Sequence, residues 1–374
     1  MFHSHQYNKD YDQTNTGYTK VMTYTVRDER LIESIERDLQ RFVRQWKQQE
    51  SIGSPEPIDA FCDVLLRGGK RLRGMLAAQS YYAHGGKNED VALGAARIFE
   101  IIQTSLLVVD DIADRSLLRR GGPSAHIRIA GFAKQYNLRG DAQHYGIAQA
   151  MNVAYAGLHK ATTELLGLAV NDETARLACL RFHENILTTI NGQIDDLYNE
   201  MTREPISEQT IDSVIKRKTA YYTIYSPLEL GASLAGKNQL SPALGDYAVR
   251  TGSVFQITDD IISTFGKEDE TGKGSNDDIR EGKLTLLTHF ALQNSDNMAS
   301  GRLRQILGTA DASDELCDEA RNIIQASGAV KYAKERSYQH EQEARAALKN
   351  KTDADPNFTP YLLELLDFIV TRNT

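Results

Sequence analysis

Apolar positions recur at three- and four-residue steps along almost the whole chain. Leu31, Ile35, Leu39, Phe42 and Trp46 keep that step, which predicts an amphipathic helix with one buried stripe. SIGSPEP breaks the pattern, and IDAFCDVLLRGGKRLRG (58–74) reads as a short helix ending at Gly68 and Gly69, with basic residues just beyond. Residues 90–116 are apolar with few interruptions (Arg97, Glu100, Gln103, Ser105), so this helix is expected to be buried on most sides. AHIRIAGFAKQYN, 143–170, 172–201, 208–236, 241–265 and 283–294 predict further helices, with two or three more in 300–349 and 357–371. No strand alternation of useful length, βαβ unit or solenoid repeat is visible. The pattern predicts an all-α fold, one large domain over 26–374 with the most apolar helices at its centre.

Composition narrows the class. The 374 residues are 41% hydrophobic and 25% charged, in the globular range, and eight prolines are few enough to suit long helices. A net charge of −8 argues against a general nucleic-acid binder. It leaves room for an anionic small substrate if cations gather locally or a divalent metal bridges acid to acid. Cys62, Cys179 and Cys317 are far apart and odd in number, which suits a reduced, cytoplasmic protein. No apolar run approaches the ~18 residues of a transmembrane segment. Residues 1–25 are polar, lack the apolar stretch of a secretory signal, and are expected to form a flexible arm.

Charge concentrates in LLVVDDIADRSLLRRGGP (106–123). On a helix Asp110 and Asp114 share a face about 6 Å apart, with Gln103 and Leu106 below them and Asp111 about 100° round. Two co-facial carboxylates repel unless a cation sits between them, and Mg²⁺ bridging to substrate phosphates fits. Arg119 and Arg120 would then meet phosphate oxygens rather than merely neutralise the aspartates. SVFQITDDIISTFG (253–266) repeats the logic with Gln256, Asp259 and Asp260. Two acidic helix ends facing each other could hold several metal ions around one diphosphate. The Gly- and Lys-rich 266–283 stretch after it could serve as a lid. RGGKRLRG (67–74) offers close backbone approach at Gly68 and Gly69 and charge at Lys70, Arg71 and Arg73. NGQIDDL (191–197) places Gln193 and Asp196 three apart. KRKTAYYTIYSP (216–227) sets Lys218 and Thr219 in an otherwise apolar, aromatic helix, where the lysine could also simply snorkel.

In this order the five pieces resemble the trans-type isoprenyl diphosphate synthases, the geranylgeranyl and farnesyl diphosphate synthase-like enzymes. The likeness runs from about Leu65 to Leu287. It rests on GGKRLRG, DDIADRSLLRRGGP, GQIDD, KTAYY, FQITDDIISTFG and ETGKGSNDD, the first aspartate motif with its arginine tail being the most specific. The resemblance implies an isoprenoid synthase fold around a deep apolar cavity, in which three Mg²⁺ ions hold an allylic diphosphate while isopentenyl diphosphate is added to it. Carried over by position, Asp110, Asp114, Asp196 and Asp259 are the metal-side acids. Arg119, Lys218 and Lys273 meet the allylic diphosphate; Gly69, Lys70, Arg73, Gln103 and Arg120 hold isopentenyl diphosphate, and Lys283 also binds substrate. Thr219 and Gln256 shield the allylic cation with their dipoles. One departure stands out: Ser263 occupies the place of the third aspartate of the second motif. Short-chain members carry aromatics where Ser105 and Leu106 stand here, so the resemblance implies a product longer than C15, C20 by expectation, with Phe99 about 16 Å below Asp110 as a deeper floor. A homodimer is implied. A terpene cyclase of the same fold and a non-catalytic subunit of a heteromeric synthase are the competing readings.

Overall fold

The computed structural model describes residues 25, 28–49, 54–202, 206–266 and 276–373. Ten helices lead up to the second aspartate motif: α1 (Glu29–Gln49), α2 (Glu56–Leu66), α3 (Leu72–Ala83), α4 (Glu89–Ala113), α5 (Ala125–Gln135), α6 (Ala142–Leu166), α7 (Asp172–Met201), α8 (Glu208–Val214), α9 (Ser226–Leu234) and α10 (Pro242–Phe265). The helices Asp277–Glu281, Leu286–Asn294, Asn297–Ile306, Asp314–Ala326, Ala329–Ala347 and Phe358–Val370 follow. The predicted all-α class holds. The 300–349 region divides further than the periodicity suggested, and a two-residue antiparallel hairpin pairs Leu118–Arg119 with Gly122–Pro123 between α4 and α5.

Local chemistry sets the boundaries. Asn88 caps α4 by accepting from the Asp90 N–H, with Glu89 and Asp90 in the first turn complementing the helix dipole. Asn171 does the same for α7 through Thr174, and Ser241 for α10 through Leu244, with Pro242 at the first turn where a missing N–H costs nothing. α4 ends at Asp114, whose N–H still bonds the Asp110 carbonyl, so the helix stops at the acids rather than at 116.

α4 is the central helix, packed by α1, α2, α3 and α6, and Ala95, Ala96, Ile98, Phe99 and Ile101 are fully buried. It is also the one described helix long and apolar enough to cross a membrane, which corrects the expectation that no run comes near that length. The relevant stretch is 72% buried inside the fold, the mark of a core helix.

The segment expected as one helix over 208–236 is α8, then a π-helix over Ile215–Tyr225, then α9. Pro227 stands in the first turn of α9, where the π-helix has ended and a missing N–H costs nothing. Two glycines let the π-helix nest between α7 and α10. A Cβ at Gly192 would stand 2.4 Å from the Lys218 backbone nitrogen, and one at Gly252 would stand 2.4 Å from the Ala220 Cα. Lys218 and Thr219 are thereby held against both neighbouring helices.

Candidate active site

A cavity of about 510 Å³ opens between α4, α6, α7, the π-helix and α10. Its mouth carries Asp110, Gln193, Lys218, Thr219, Gln256 and Asp259; its body is apolar, including Ile102, Leu106, Leu158, Ile186 and Ile190. Leu106 and Ser105 line it as expected. Phe99 is not among the lining side chains: it lies two turns below Leu106 on the same α4 face, fully buried, its ring edge-on to Phe182 with centroids 5.8 Å apart.

Each acid at the mouth meets a cation from another part of the chain. Lys218 donates to Asp196 Oδ2. Lys283 Nζ lies 3.4 Å from Asp114 Oδ2, 3.5 Å from Asp278 Oδ1 and 2.9 Å from Glu281 Oε2. Arg372, next to the chain's end, reaches Asp259 at 3.5 Å and stacks over the Phe255 ring at 4.8 Å. Burial works against the charges of Lys218 and Lys283. For Lys218 the attraction of Asp196 and Asp110 outweighs it, and for Lys283 that of Asp278, Asp114 and Glu281, so both ammonium groups titrate above their usual range.

Arg119 stands against the first aspartate motif. Its Nε donates to Asp111 Oδ1 at 2.7 Å, and its Nη2 lies 3.6 Å from Asp110. The physical reason is burial: Asp111 is completely buried, and a carboxylate there needs a counter-ion of its own. Arg120 behaves differently. Its guanidinium donates to the Val64 carbonyl and lies against Gly69, at 3.6 Å from where a Cβ would be. Gly69 is at φ 132, in the region that favours glycine.

Arg73 completes this second, basic corner. It donates to Thr223 Oγ1 at 2.7 Å and sits 4.6 Å from the Tyr222 ring centroid; burial holds its guanidinium below the ordinary range. Lys70 is exposed, over Phe368 at 5.4 Å. Gln103 lines the cavity, and its buried Oε1 has no hydrogen-bond partner among the described residues, as suits a side chain built to meet a ligand. Arg71 locks the loop from behind, bonding Glu36 and Glu100 at 2.7 Å each and the Leu65 carbonyl at 3.0 Å.

Between the corners, Thr219 Oγ1 donates to Gln256 Oε1 at 2.5 Å, and Gln256 Nε2 donates to Asp260 Oδ1 at 2.6 Å. The Thr219 hydroxyl proton is thus committed, leaving oxygen lone pairs for the cavity. Burial pushes the Asp260 carboxyl well above its usual range, with Asp278, Asp259 and Asp196 adding to the effect against the Gln256 bond.

Lys273 lies outside the described residues. Three residues at the site had no part in the expectations. Glu200, one turn beyond Asp196, has its carboxyl raised to about 7 by burial and then by Asp196. Its four-residue spacing from Asp196 was a usable signal. Asp278 was visible only as one of two adjacent acids, and Arg372, 113 residues from Asp259, had no local signal.

The arrangement defines an all-α enzyme site with an acidic rim, a basic corner and a greasy shaft, suited to a substrate with a charged head and a hydrocarbon tail. The chain belongs to the polyprenyl synthetase family, whose profile matches residues 55–324, and it is a trans-isoprenyl diphosphate synthase. It is 31% identical over 314 residues to a geranylgeranyl diphosphate synthase of Sulfolobus acidocaldarius, covering 83% of this chain and 90% of that protein. It is 30% identical over 310 residues to a short chain isoprenyl diphosphate synthase of Methanothermobacter thermautotrophicus, covering 83% and 88%. Its structure is similar to geranylgeranyl pyrophosphate synthase from Corynebacterium glutamicum, solved with isoprenyl diphosphate and magnesium. That match has a TM-score of 0.85 and 31% identity and covers 91% of this chain and 98% of that one.

The donor set fits Mg²⁺ only with help from substrate. Among the described residues no three acidic, histidine or cysteine side chains stand close enough to cage an ion unaided. Carboxylates spread around a cavity mouth still suit Mg²⁺, which takes one or two of them and fills its octahedron with water and substrate phosphate.

Proposed function

We propose that this synthase condenses isopentenyl diphosphate with an allylic diphosphate and releases a C20 trans-polyprenyl diphosphate. The observation that carries the reading is the cavity, lined below Asp110 by Ser105 and Leu106, with no aromatic at the α4 positions one helical turn down. Asp110, Asp114, Asp196 and Asp259 would hold the metal, three Mg²⁺ ions in all, and Mg²⁺ when bound neutralises the diphosphate that leaves.

Arg119 and Lys218, with Lys273, hold the allylic diphosphate. Gly69, Lys70, Arg73, Gln103 and Arg120 hold isopentenyl diphosphate. Lys283, placed against Asp114, meets the diphosphate on the allylic side. The allylic C–O bond breaks with its electron pair leaving on the diphosphate. Thr219 and Gln256 face the resulting cation with oxygen dipoles. The double bond of isopentenyl diphosphate attacks the allylic carbon, and the released diphosphate takes the proton. The shaft excludes water from the cation. The basic corner at Gly69, Arg73 and Arg120 favours this over a cyclase, which needs no second diphosphate.

The same reading includes a homodimer in the cytoplasm, each chain folding as one domain over 26–374. Leu180, Leu187 and Ile194 recur every seven residues on the exposed face of α7, beside Met151 and Tyr155 of α6. Tyr155 and Ile194 also line the cavity, so a second copy seated there would complete its wall.

Purified protein with Mg²⁺, isopentenyl diphosphate and each allylic primer in turn tests the proposal, with products sized by chromatography. Elongation to C20 that requires both substrates is expected. Hydrocarbon released from an allylic diphosphate alone would overturn it. A Leu187→Glu variant sedimenting as monomer, against a native dimer, checks the interface.

A further inference from the structure

Ser263 sits four residues after Asp259 on α10, so the two share a helix face. The hydroxyl carries no charge and supplies no carboxylate to the second motif. It does donate a hydrogen bond, and its acceptor is Asp278 Oδ2, from the short helix Asp277–Glu281. The other oxygen of that carboxylate lies 3.5 Å from Lys283 Nζ, which in turn lies 3.4 Å from Asp114 on the facing wall. The Asp278 side chain is 13% exposed, so its position is set by packing and by these partners.

We propose that Asp278 supplies, through its hydrogen bond from Ser263, the carboxylate that position 263 itself does not bring to the second acidic motif. Asp259, Asp260 and Asp278 then give this side of the mouth three carboxyl groups. Ser263 acts as a positioning residue, holding a carboxylate carried by a different element. A hydroxyl is well matched to that role, since an aspartate at 263 would repel Asp278, whereas a serine orients it. The inference rests on the synthase reading, in which these acids face a metal diphosphate.

The test uses the full-length protein, Mn²⁺ as the metal and inorganic pyrophosphate as the anion, with bound Mn²⁺ counted by electron paramagnetic resonance. D278N keeps an acceptor for Ser263 but removes the charge. It is expected to weaken Mn²⁺–pyrophosphate binding by on the order of 10-fold while its melting temperature stays near native, as loss of an outer-sphere carboxylate does. S263A keeps the charge and frees it, with a smaller loss of about 3-fold. S263D/D278N, which moves the carboxylate onto α10, is expected to return close to native binding. A purely structural contact would lower the stability of S263A and leave metal binding alone. Native binding in D278N, or no recovery in S263D/D278N, overturns the proposal. If D278N does not fold, unchanged binding in S263A overturns it. D110N separates the two readings: native uptake that D110N loses and D278N keeps sinks this proposal alone. No uptake by the native protein sinks the synthase reading and this proposal with it.

Discussion

Leu106→Phe should shorten the product. Leu106 lies one turn, about 6 Å, below Asp110 on α4 and is half-buried on the cavity wall, where a larger side chain projects into the shaft. Each added prenyl unit brings five carbons. At about 0.8 kcal/mol per buried methylene, housing one further unit is worth about 4 kcal/mol, or on the order of 10³ in the preference for continued elongation. A ring across the shaft at this level removes that gain, and the dominant product should fall from C20 to C15. Ser105 is a poorer place for the same change. Its Oγ already lies 2.4 Å from where a Cβ on Gly157 would be, so a ring there would be driven against α6. The assay is steady-state elongation with Mg²⁺, followed by dephosphorylation and chromatography. Phe99→Ala, two turns deeper on the same face, should not shorten the product and should lower stability by about 3–5 kcal/mol, as a truncated core aromatic does. An unchanged C20 product from a folded, active Leu106→Phe protein would refute the reasoning.

Gly192→Ala should push the π-helix off α7, because its Cβ would meet the Lys218 backbone at 2.4 Å. The expected cost is about 1–3 kcal/mol by urea unfolding, with a disproportionate loss of kcat, since Lys218 and Thr219 move. Arg71→Met leaves Glu100 buried without its guanidinium, and a loss of about 3–5 kcal/mol is expected; a change below about 1 kcal/mol would show that the pair is replaceable. Glu200 gives a pH signature. Its carboxyl rises from the ordinary 4.5 to about 7 on folding, so its favourable share is whole below pH 4.5 and is lost as pH rises through 7. At 1.36 kcal/mol per pH unit the loss is of the order of 3 kcal/mol. In EDTA, Glu200→Gln should therefore gain on the native protein by about that amount between pH 4.5 and 8 in denaturant titrations; parallel curves would exclude it.

What was legible in the sequence followed from local rules. The 3.6-residue period located α1, α4, α7 and α10, because each buries a continuous stripe along one face. The first acidic motif was legible because i and i+4 carboxylates on an apolar helix are costly without a purpose, the second because adjacent Asp259 and Asp260 interrupt an equally apolar one. What stayed hidden was contact between distant elements. Phe99 has the height and the helix face of a cavity floor, but its edge-on packing against Phe182 joins two distant helices that no local pattern brings together. The pairing of Arg119 with Asp111 was not legible either, since the complete burial of Asp111 calls for a guanidinium, and burial at a single position is not written in the period. The π-helix was hidden because the glycines it nests against, Gly192 and Gly252, belong to other helices, and only the fold brings them together.

The distribution of charge explains why a chain with net −8 can present a site for two polyanions. Its acids at the mouth are matched by cations delivered from other parts of the sequence: Arg119 to Asp110 and Asp111, Lys218 to Asp196, Lys283 to Asp114, Arg372 to Asp259. A diphosphate arriving with its metal offers each partner a replacement, anion for the cationic side chains and cation for the carboxylates. Little bare charge need be uncovered during that exchange, which keeps the desolvation cost of binding low. The basic corner at Arg73 and Arg120 is different, since neither guanidinium is paired with a carboxylate among the contacts described. Their partners are a threonine hydroxyl, a backbone carbonyl and a tyrosine ring, and burial above all holds both guanidinium groups below the ordinary range. An anion there gains attraction without breaking an ion pair, so the second diphosphate should bind at this corner without metal, and Arg73→Met should raise the KM for isopentenyl diphosphate far more than that for the allylic substrate. Equal effects on both KM values would mean that the two corners are not separate sites.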